Sequence, residues 1–196
     1  TRIFDNQNGV KNVSFDAREG ETIGLLGKSG SGKSTILRAI AGLDNGYTGE
    51  VLISGESIDG PHPKVGVVFQ EARLFPWLTV LENVTFTLKG NEETNNKFAR
   101  KLLKQVGLEG AENLYIKELS GGMAQRVSIA RAIVAKPGLL LMDEPFSALD
   151  AFTKMQLQDL MLDIWRAEKV TSIIVTHDID EALYLCNRII VLSGKP

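Results

Sequence analysis

The densest chemistry in the chain lies in Gly27-Lys28-Ser29-Gly30-Ser31-Gly32-Lys33-Ser34-Thr35. Gly27, Gly32, Lys33 and Ser34 satisfy G-x-x-x-x-G-K-[ST], the spacing of a loop that cradles phosphates. Glycines let backbone N–H groups turn inward around phosphate oxygens, and a helix opening near Lys33 adds the positive end of its dipole. Lys33 is then placed to bridge the β- and γ-phosphates of a nucleotide. The Ser34 hydroxyl suits Mg²⁺, a hard cation that prefers oxygen. Lys28 meets no motif requirement and reads as a solvated side chain of the loop. On its own the loop fits a GTPase, a kinase or an ATPase equally well.

Further constellations narrow the choice. Leu139-Leu140-Leu141-Met142-Asp143-Glu144 delivers two carboxylates at the end of an apolar strand, where open α/β sheets place ligands. Asp143 is the candidate for Mg²⁺, held through water, and Glu144 for orienting or deprotonating an attacking water. Leu119-Ser120-Gly121-Gly122-Met123 puts a serine and two glycines at another helix N-terminus. That run is either a second phosphate site or a plain serine cap on a glycine-rich turn. Gln70 and His177, taken singly, are a loop amide and an imidazole at a strand end.

Positioning these groups requires a sheet. Apolar runs over 22–26, 50–54, 65–69, 139–143, 172–176 and 188–193 read as strands, the one at 50–54 ending in the Gly55 turn region, and those at 50–54 and 65–69 both suited to a buried sheet. Helical patterns fall at 33–41, stopped by Gly42, and at 92–106, 120–134, 151–168 and 178–185, with a capping box at Thr79-x-x-Glu82. Strand and helix alternate at both ends of the chain, while the middle third is helical. The fold class is therefore α/β: a mainly parallel sheet over about 1–70 and 137–196, which together with the phosphate loop resembles the RecA-like core of P-loop NTPases, with a helical subdomain inserted over about 71–136.

Composition limits the partners. The 196 residues carry 22 Lys plus Arg against 24 Asp plus Glu, a formal charge of −2 that lacks the basic excess of a nucleic-acid surface. The single cysteine, Cys186, cannot form an internal disulfide, which suits a reducing compartment. No apolar stretch is long enough to span a bilayer, so any membrane role runs through a partner.

Taken in order, the phosphate loop at 27–34, Gln70, the Ser120-Gly121-Gly122 signature, Asp143-Glu144, the loop Ser147-Ala148-Leu149-Asp150 and His177 resemble the ABC ATPases along essentially the whole chain. The resemblance implies that the signature faces the phosphate loop of a partner subunit and contacts the γ-phosphate of ATP held between the two chains. It also implies roles for Gln70 at Mg²⁺ and in sensing a membrane partner, for His177 at the γ-phosphate, and for Asp150 in communication across a head-to-tail homodimer. Phe4 stands where the family carries an adenine-stacking aromatic, or else makes a small N-terminal core contact. Met123 replaces the family's usual glutamine, a change that spares the phosphate-facing serine and glycine backbone.

The stretch from Val68 to Val80 is similar to the ATPase subunits of bacterial nitrate, sulfonate and taurine importers, as are 120–126 and 143–151. Leu74-Phe75-Pro76-Trp77 within it is a candidate docking surface for a transmembrane permease subunit, with burial in the helical segment the alternative for Leu74. The resemblance implies ATP and Mg²⁺ as cofactors and an indirect partnership with a solute-binding protein. It implies a peripheral position on the cytoplasmic face of the membrane, no nucleic-acid partner, and a chain that is part of a longer domain. A soluble ABC ATPase acting on nucleic acid or ribosomes is the rival within the family. A GTPase is disfavoured because Asn96-Lys97 continues as Phe98-Ala99 and not as a guanine motif.

Overall fold

Apolar runs that bury both faces belong inside a parallel sheet, and alternate residues of such a run must then serve two different cores. The computed structural model describes residues 1–3 and 9–193 and has this arrangement. In chain order its elements begin with β1 (Arg2–Ile3), β2 (Gly9–Val10), β3 (Thr22–Gly27), α1 (Lys33–Ile40), β4 (Leu52–Ile53), β5 (Glu56–Ser57) and β6 (Val65–Val68). They continue with α2 (Val80–Thr85), α3 (Glu92–Gln105), α4 (Gly121–Val134), β7 (Leu139–Asp143), α5 (Ala151–Glu168), β8 (Thr171–Thr176), α6 (Ile179–Leu185) and β9 (Arg188–Leu192).

Five strands form the main sheet in the order β6-β7-β8-β3-β9, every neighbouring pair parallel. Leu140, Met142 and Ile174 face a core shared with α2, α3, α4 and α5. Leu141, Ile173 and Val175, one residue out of phase, face Ile23, Leu25 and the α1 residues Ile36 and Leu37 on the other side. Parallel register fixes the carboxyl ends against one another: Leu26 pairs with Thr176, Asp143 with Val175 and Val68 with Met142. The residues that follow those ends, Lys28, Glu144, His177 and Gln70, are thereby gathered along one edge of the sheet.

Between β6 and β7 the chain carries α2, α3 and α4 with a short 3₁₀ turn and no strand. Thr79 and Glu82 close the capping box expected at the start of α2, and Ser120 caps α4. The strand expected at 50–54 ends at the Gly55 turn as expected, but its place in the buried sheet is corrected. Only Leu52–Ile53 is extended, and it turns back at once to pair antiparallel with β5, outside the main sheet. Ser54 and Gly55, both at positive φ, make the two-residue turn whose twist suits a hairpin, and Leu52 is left 53% exposed. Among the described residues no helix is long and apolar enough to cross a membrane.

Candidate active site

Strand β3, buried between β8 and β9, ends at Gly27, and α1 begins at Lys33. Gly32 caps the helix at a φ of 93°, and a Cβ there would lie 2.1 Å from Val10 Cγ2, so both backbone and packing demand glycine. Lys33 is only 6% exposed, and its Nζ donates to the carbonyls of Gly27 at 2.7 Å and Lys28 at 3.0 Å. Two of its three donors thus brace the loop and the third is left for an anion. Ser31 Oγ is buried with no partner among the described residues, an unmet polar group in the wall of the same loop. Both features fit a loop made to receive phosphate oxygens. Lys28, Ser29 and Gly30 are exposed along its outer side, and Thr35 is half-buried in the first turn of α1.

Ser34 Oγ donates to Asp143 Oδ1 at 3.0 Å, joining helix α1 to the end of β7. Burial pushes the Asp143 carboxyl above its ordinary range; the Ser34 hydrogen bond opposes the shift and the neighbouring Glu144 adds to it. A desolvated carboxylate beside a hydroxyl is a hard-oxygen pair that a small divalent cation would neutralise. Among the described residues no cluster of three or more His, Cys, Asp or Glu forms a metal cage. One hydroxyl and one carboxylate oxygen are a donor set that would suit Mg²⁺, which uses one or two protein oxygens and completes its shell from water and phosphate.

Glu144 stands at the centre of a second cluster. Its Oε2 accepts from Gln70 Nε2 at 3.3 Å, and its Oε1 lies 3.2 Å from His177 Nδ1. Its own N–H donates to Val175 O at 2.9 Å, which anchors it to β8 although its φ is 46°. A non-glycine residue held there stores about 1–3 kcal/mol of backbone strain, of the kind found at functional sites. Gln70 bonds to Glu144 and not to the Ser34–Asp143 pair.

Ser120 and Asp150 lie apart from these groups. Ser120 Oγ accepts from Met123 N at 3.2 Å, and a Cβ on Gly122 would stand 3.5 Å from Ala148 O, so the signature turn rests on the loop before α5. Asp150 caps α5, and the hydrogen bond from Thr153 N holds its carboxyl below the usual range. Both are exposed and neither bonds to the phosphate loop of its own chain. Phe4 lies outside the described residues.

Three residues that sequence reasoning passed over hold the loop carrying Gln70. Gln125 Nε2 donates to Phe69 O at 3.0 Å, and Arg131 donates to Ala72 O and Arg73 O at 3.1 and 3.0 Å. Buried Asn83 accepts from Phe75 N and donates to the carbonyls of Phe75, Leu78 and Thr79. Gln125 on the buried face of α4 was the one legible signal, since a polar side chain there needs a partner. Trp77, at the tip of the braced loop, is 69% exposed and its ring lies 5.5 Å from that of Phe75. Leu74 packs partly buried against the core, the alternative left open for it.

The ABC transporter family profile matches residues 10–147. An aliphatic sulfonates import ATP-binding protein of Bacillus cereus is 49% identical over 200 residues, which is 100% of this chain and 80% of that protein. Its counterpart in Bacillus subtilis is 50% identical over 187 residues, 95% of this chain and 73% of that one. A solved dimeric ATP-binding cassette, in a post-hydrolysis state bound to ADP and Pi, aligns with a TM-score of 0.86 at 38% identity, covering 94% of this chain and 86% of its own. A profile that takes in the phosphate loop, signature and paired carboxylates, with near-half identity along the whole length, establishes that the chain belongs to the ABC transporter family, as one of its ATP-binding subunits.

Proposed function

We propose that this ABC ATPase is the motor subunit of a bacterial importer for aliphatic sulfonates, and that it hydrolyses ATP at the edge of the sheet where Gln70, Glu144 and His177 meet. The observation that carries the reading is the Glu144 carboxylate, 3.2 Å from His177 and 3.3 Å from Gln70, on the strand end next to Asp143. Lys33 swings its free donor to the β- and γ-phosphates while the loop carbonyls keep it in place. Glu144 accepts a proton from the attacking water, and Gln70 and His177 set the carboxylate's orientation, His177 reaching the γ-phosphate. Mg²⁺, held by Ser34 and Asp143 with Gln70 nearby, supplies charge neutralisation at the phosphates when bound. In-line attack by water needs positioning and charge stabilisation more than covalent chemistry, which suits a site with no nucleophilic side chain.

The reading extends to assembly. Exposed Ser120 and Asp150 serve a second copy of the chain, Ser120 with Gly121 and Gly122 capping the γ-phosphate at the partner's loop in a head-to-tail homodimer. Phe4 stacks on the adenine. Residues 71–136 move as a helical unit against a core formed by 1–70 and 137–196. Phe75 and Trp77 dock a permease subunit on the cytoplasmic face of the membrane, and a solute-binding protein delivers the sulfonate from the other side. The names of the Bacillus relatives support the solute class.

The test is uptake by proteoliposomes holding this subunit with its cognate permease and binding protein. ATP-driven accumulation of an alkanesulfonate is expected, and should vanish with Glu144→Gln. ATP hydrolysis that drives uptake of other solutes but of no sulfonate overturns the assignment of cargo. Absence of hydrolysis overturns the site.

A further inference from the structure

The His177 side chain is 66% exposed, and among the described residues its one hydrogen-bonding or ionic partner is Glu144, at 3.2 Å. Packing can do little to orient it, so its backbone must. It stands between β8, which ends at Thr176, and Asp178, the residue that caps α6. The strand side of that junction is fixed. Thr176 is 2% exposed and pairs with Leu26, and its Oγ1 accepts from Asp178 N at 3.0 Å. The helix side is fixed by a residue outside both the phosphate loop and the Glu144 cluster.

Lys154 Nζ donates to Asp178 Oδ2 at 2.6 Å and lies 2.9 Å from Glu181 Oε2. The Glu181 side chain is only 4% exposed, and a carboxylate buried that deeply needs a cation; among the described residues Lys154 is its ion-pair partner. Hydrogen bonds between charged groups are short and about twice as strong as neutral ones. Asp178 Oδ1 accepts from Glu181 N at 3.1 Å. The cap residue thus holds the first turn of α6 with one oxygen and Lys154 with the other.

The place of this tie sets it apart from an ordinary pair between helices. Lys154 stands in the first turn of α5, where its own N–H donates to Asp150 O at 2.8 Å. The loop leading there is closed by Ser147, whose N–H and Oγ donate to Glu144 O at 3.2 and 2.9 Å. A circuit results, from Glu144 along its loop to Asp150 and Lys154, across to Asp178, and back through His177 to Glu144. We propose that Lys154 is a positioning residue for hydrolysis: by tying the cap of α6 to the first turn of α5, it holds the His177 imidazole at the Glu144 carboxylate. The proposal rests on the reading that His177 acts at the γ-phosphate, and adds the group that sets where the imidazole stands. The bonds of the Lys33 and Ser34 side chains go to Gly27, Lys28 and Asp143, so ATP binding does not run through Lys154.

Lys154→Met alone would strand the buried Glu181 charge and endanger the fold. The test therefore combines Lys154→Met with Glu181→Gln, which removes one charge of each sign and leaves the net charge unchanged. The chain has two histidines, His62 and His177, so the imidazole Cε1–H signal that vanishes from the proton NMR spectrum of His177→Ala is that of His177. In the double variant this signal should move while that of His62 stays. The kcat for phosphate release by the full chain should fall about 10- to 100-fold, since a displacement of about 1 Å at the reacting groups can cost about 100-fold. The KM for ATP should hold. Lys154→Arg keeps the charge and the donors, and should return both the signal and kcat toward wild type. An unmoved His177 signal or a wild-type kcat in the double variant overturns the role of Lys154. Hydrolysis at the wild-type rate by His177→Ala overturns instead the place of His177 in the chemistry, and this proposal falls with it.

Discussion

Replacing Gln125 with methionine keeps the side chain's length and bulk but deletes the N–H that reaches Phe69 O at 3.0 Å. Gln125 is 2% exposed, so water has little access to the vacated position. A carbonyl left without its buried donor costs about 1–3 kcal/mol. At about 2–4 °C per kcal/mol for a chain of this size, the melting temperature should fall by about 2–12 °C. Among the described residues the Lys33 and Ser34 side chains bond to Gly27, Lys28 and Asp143 and not to the loop at 69–79, so the phosphate loop is spared and the KM for ATP should hold. The kcat should drop, because Phe69 adjoins Gln70, which donates to Glu144, the proposed base. Gln125→Glu separates donor from packing: it has the same shape but sets a carboxylate against the carbonyl, and should cost more than methionine. Scanning calorimetry with a phosphate-release assay reads both quantities. Wild-type stability and turnover in Gln125→Met would refute the claim that this bond positions the loop.

Glu144→Gln keeps the hydrogen-bonding shape but cannot accept a proton, so it should bind ATP and turn over at least about 100-fold more slowly, since general-base catalysis is worth roughly 10²–10⁴. Normal phosphate release excludes Glu144 as the base. Lys33→Ala should weaken ATP binding and abolish hydrolysis, and near-normal turnover removes the loop assignment. Ser120→Arg should lower the monomer's melting temperature by only about 1–8 °C, since losing a serine N-cap costs about 0.5–2 kcal/mol, while preventing formation of an ATP-bound dimer, which size-exclusion chromatography reads. A variant that still dimerises sinks the interface reading. The Asp178 carboxyl is held below its ordinary 3.8 by hydrogen bonds from Lys154 and from Glu181 N–H, so its contribution to stability is complete above that value and is lost as pH falls through the lower folded one. Asp178→Asn should therefore flatten the loss of urea stability between about pH 5 and 3, and an unchanged slope counts against it.

The parts legible from sequence were those whose chemistry is local. Gly27 to Ser34 declares a phosphate loop by spacing, and Leu139 to Glu144 declares a strand with carboxylates at its end. The Thr79–Glu82 box and the Ser120 cap were equally readable, because a cap is settled within four residues. The turn at Gly55 was readable, but the hairpin at 52–57 was assigned to the buried sheet because Val51-Leu52-Ile53 has the composition of a buried strand. The Gln70–Glu144 contact spans 74 residues and depends on β6 lying beside β7 in a particular parallel register. Motif order puts both residues in one site without saying that they touch. Nothing local marks Asn83, since its partners at Phe75 and Leu78 become acceptors only once the loop has folded over it.

Those overlooked bonds make one connected path. From Glu144 it runs to Gln70, back one residue to Phe69 and across to Gln125 on α4. Arg131, farther along the same helix, takes the carbonyls of Ala72 and Arg73, and Asn83 takes Phe75 from α2. Ser120 caps that helix, and eleven residues of rise separate it from Arg131, about 16 Å. A single hydrogen bond nets only about 1 kcal/mol, too little to transmit a conformational change against thermal motion. Several on one helix act differently, because α4 cannot shift without dragging the loop at 69, 72 and 73 together. In the head-to-tail dimer proposed above, a displacement of Ser120 would reach Gln70 and Trp77 through the same rod, which is the property that coupling hydrolysis to a membrane partner requires.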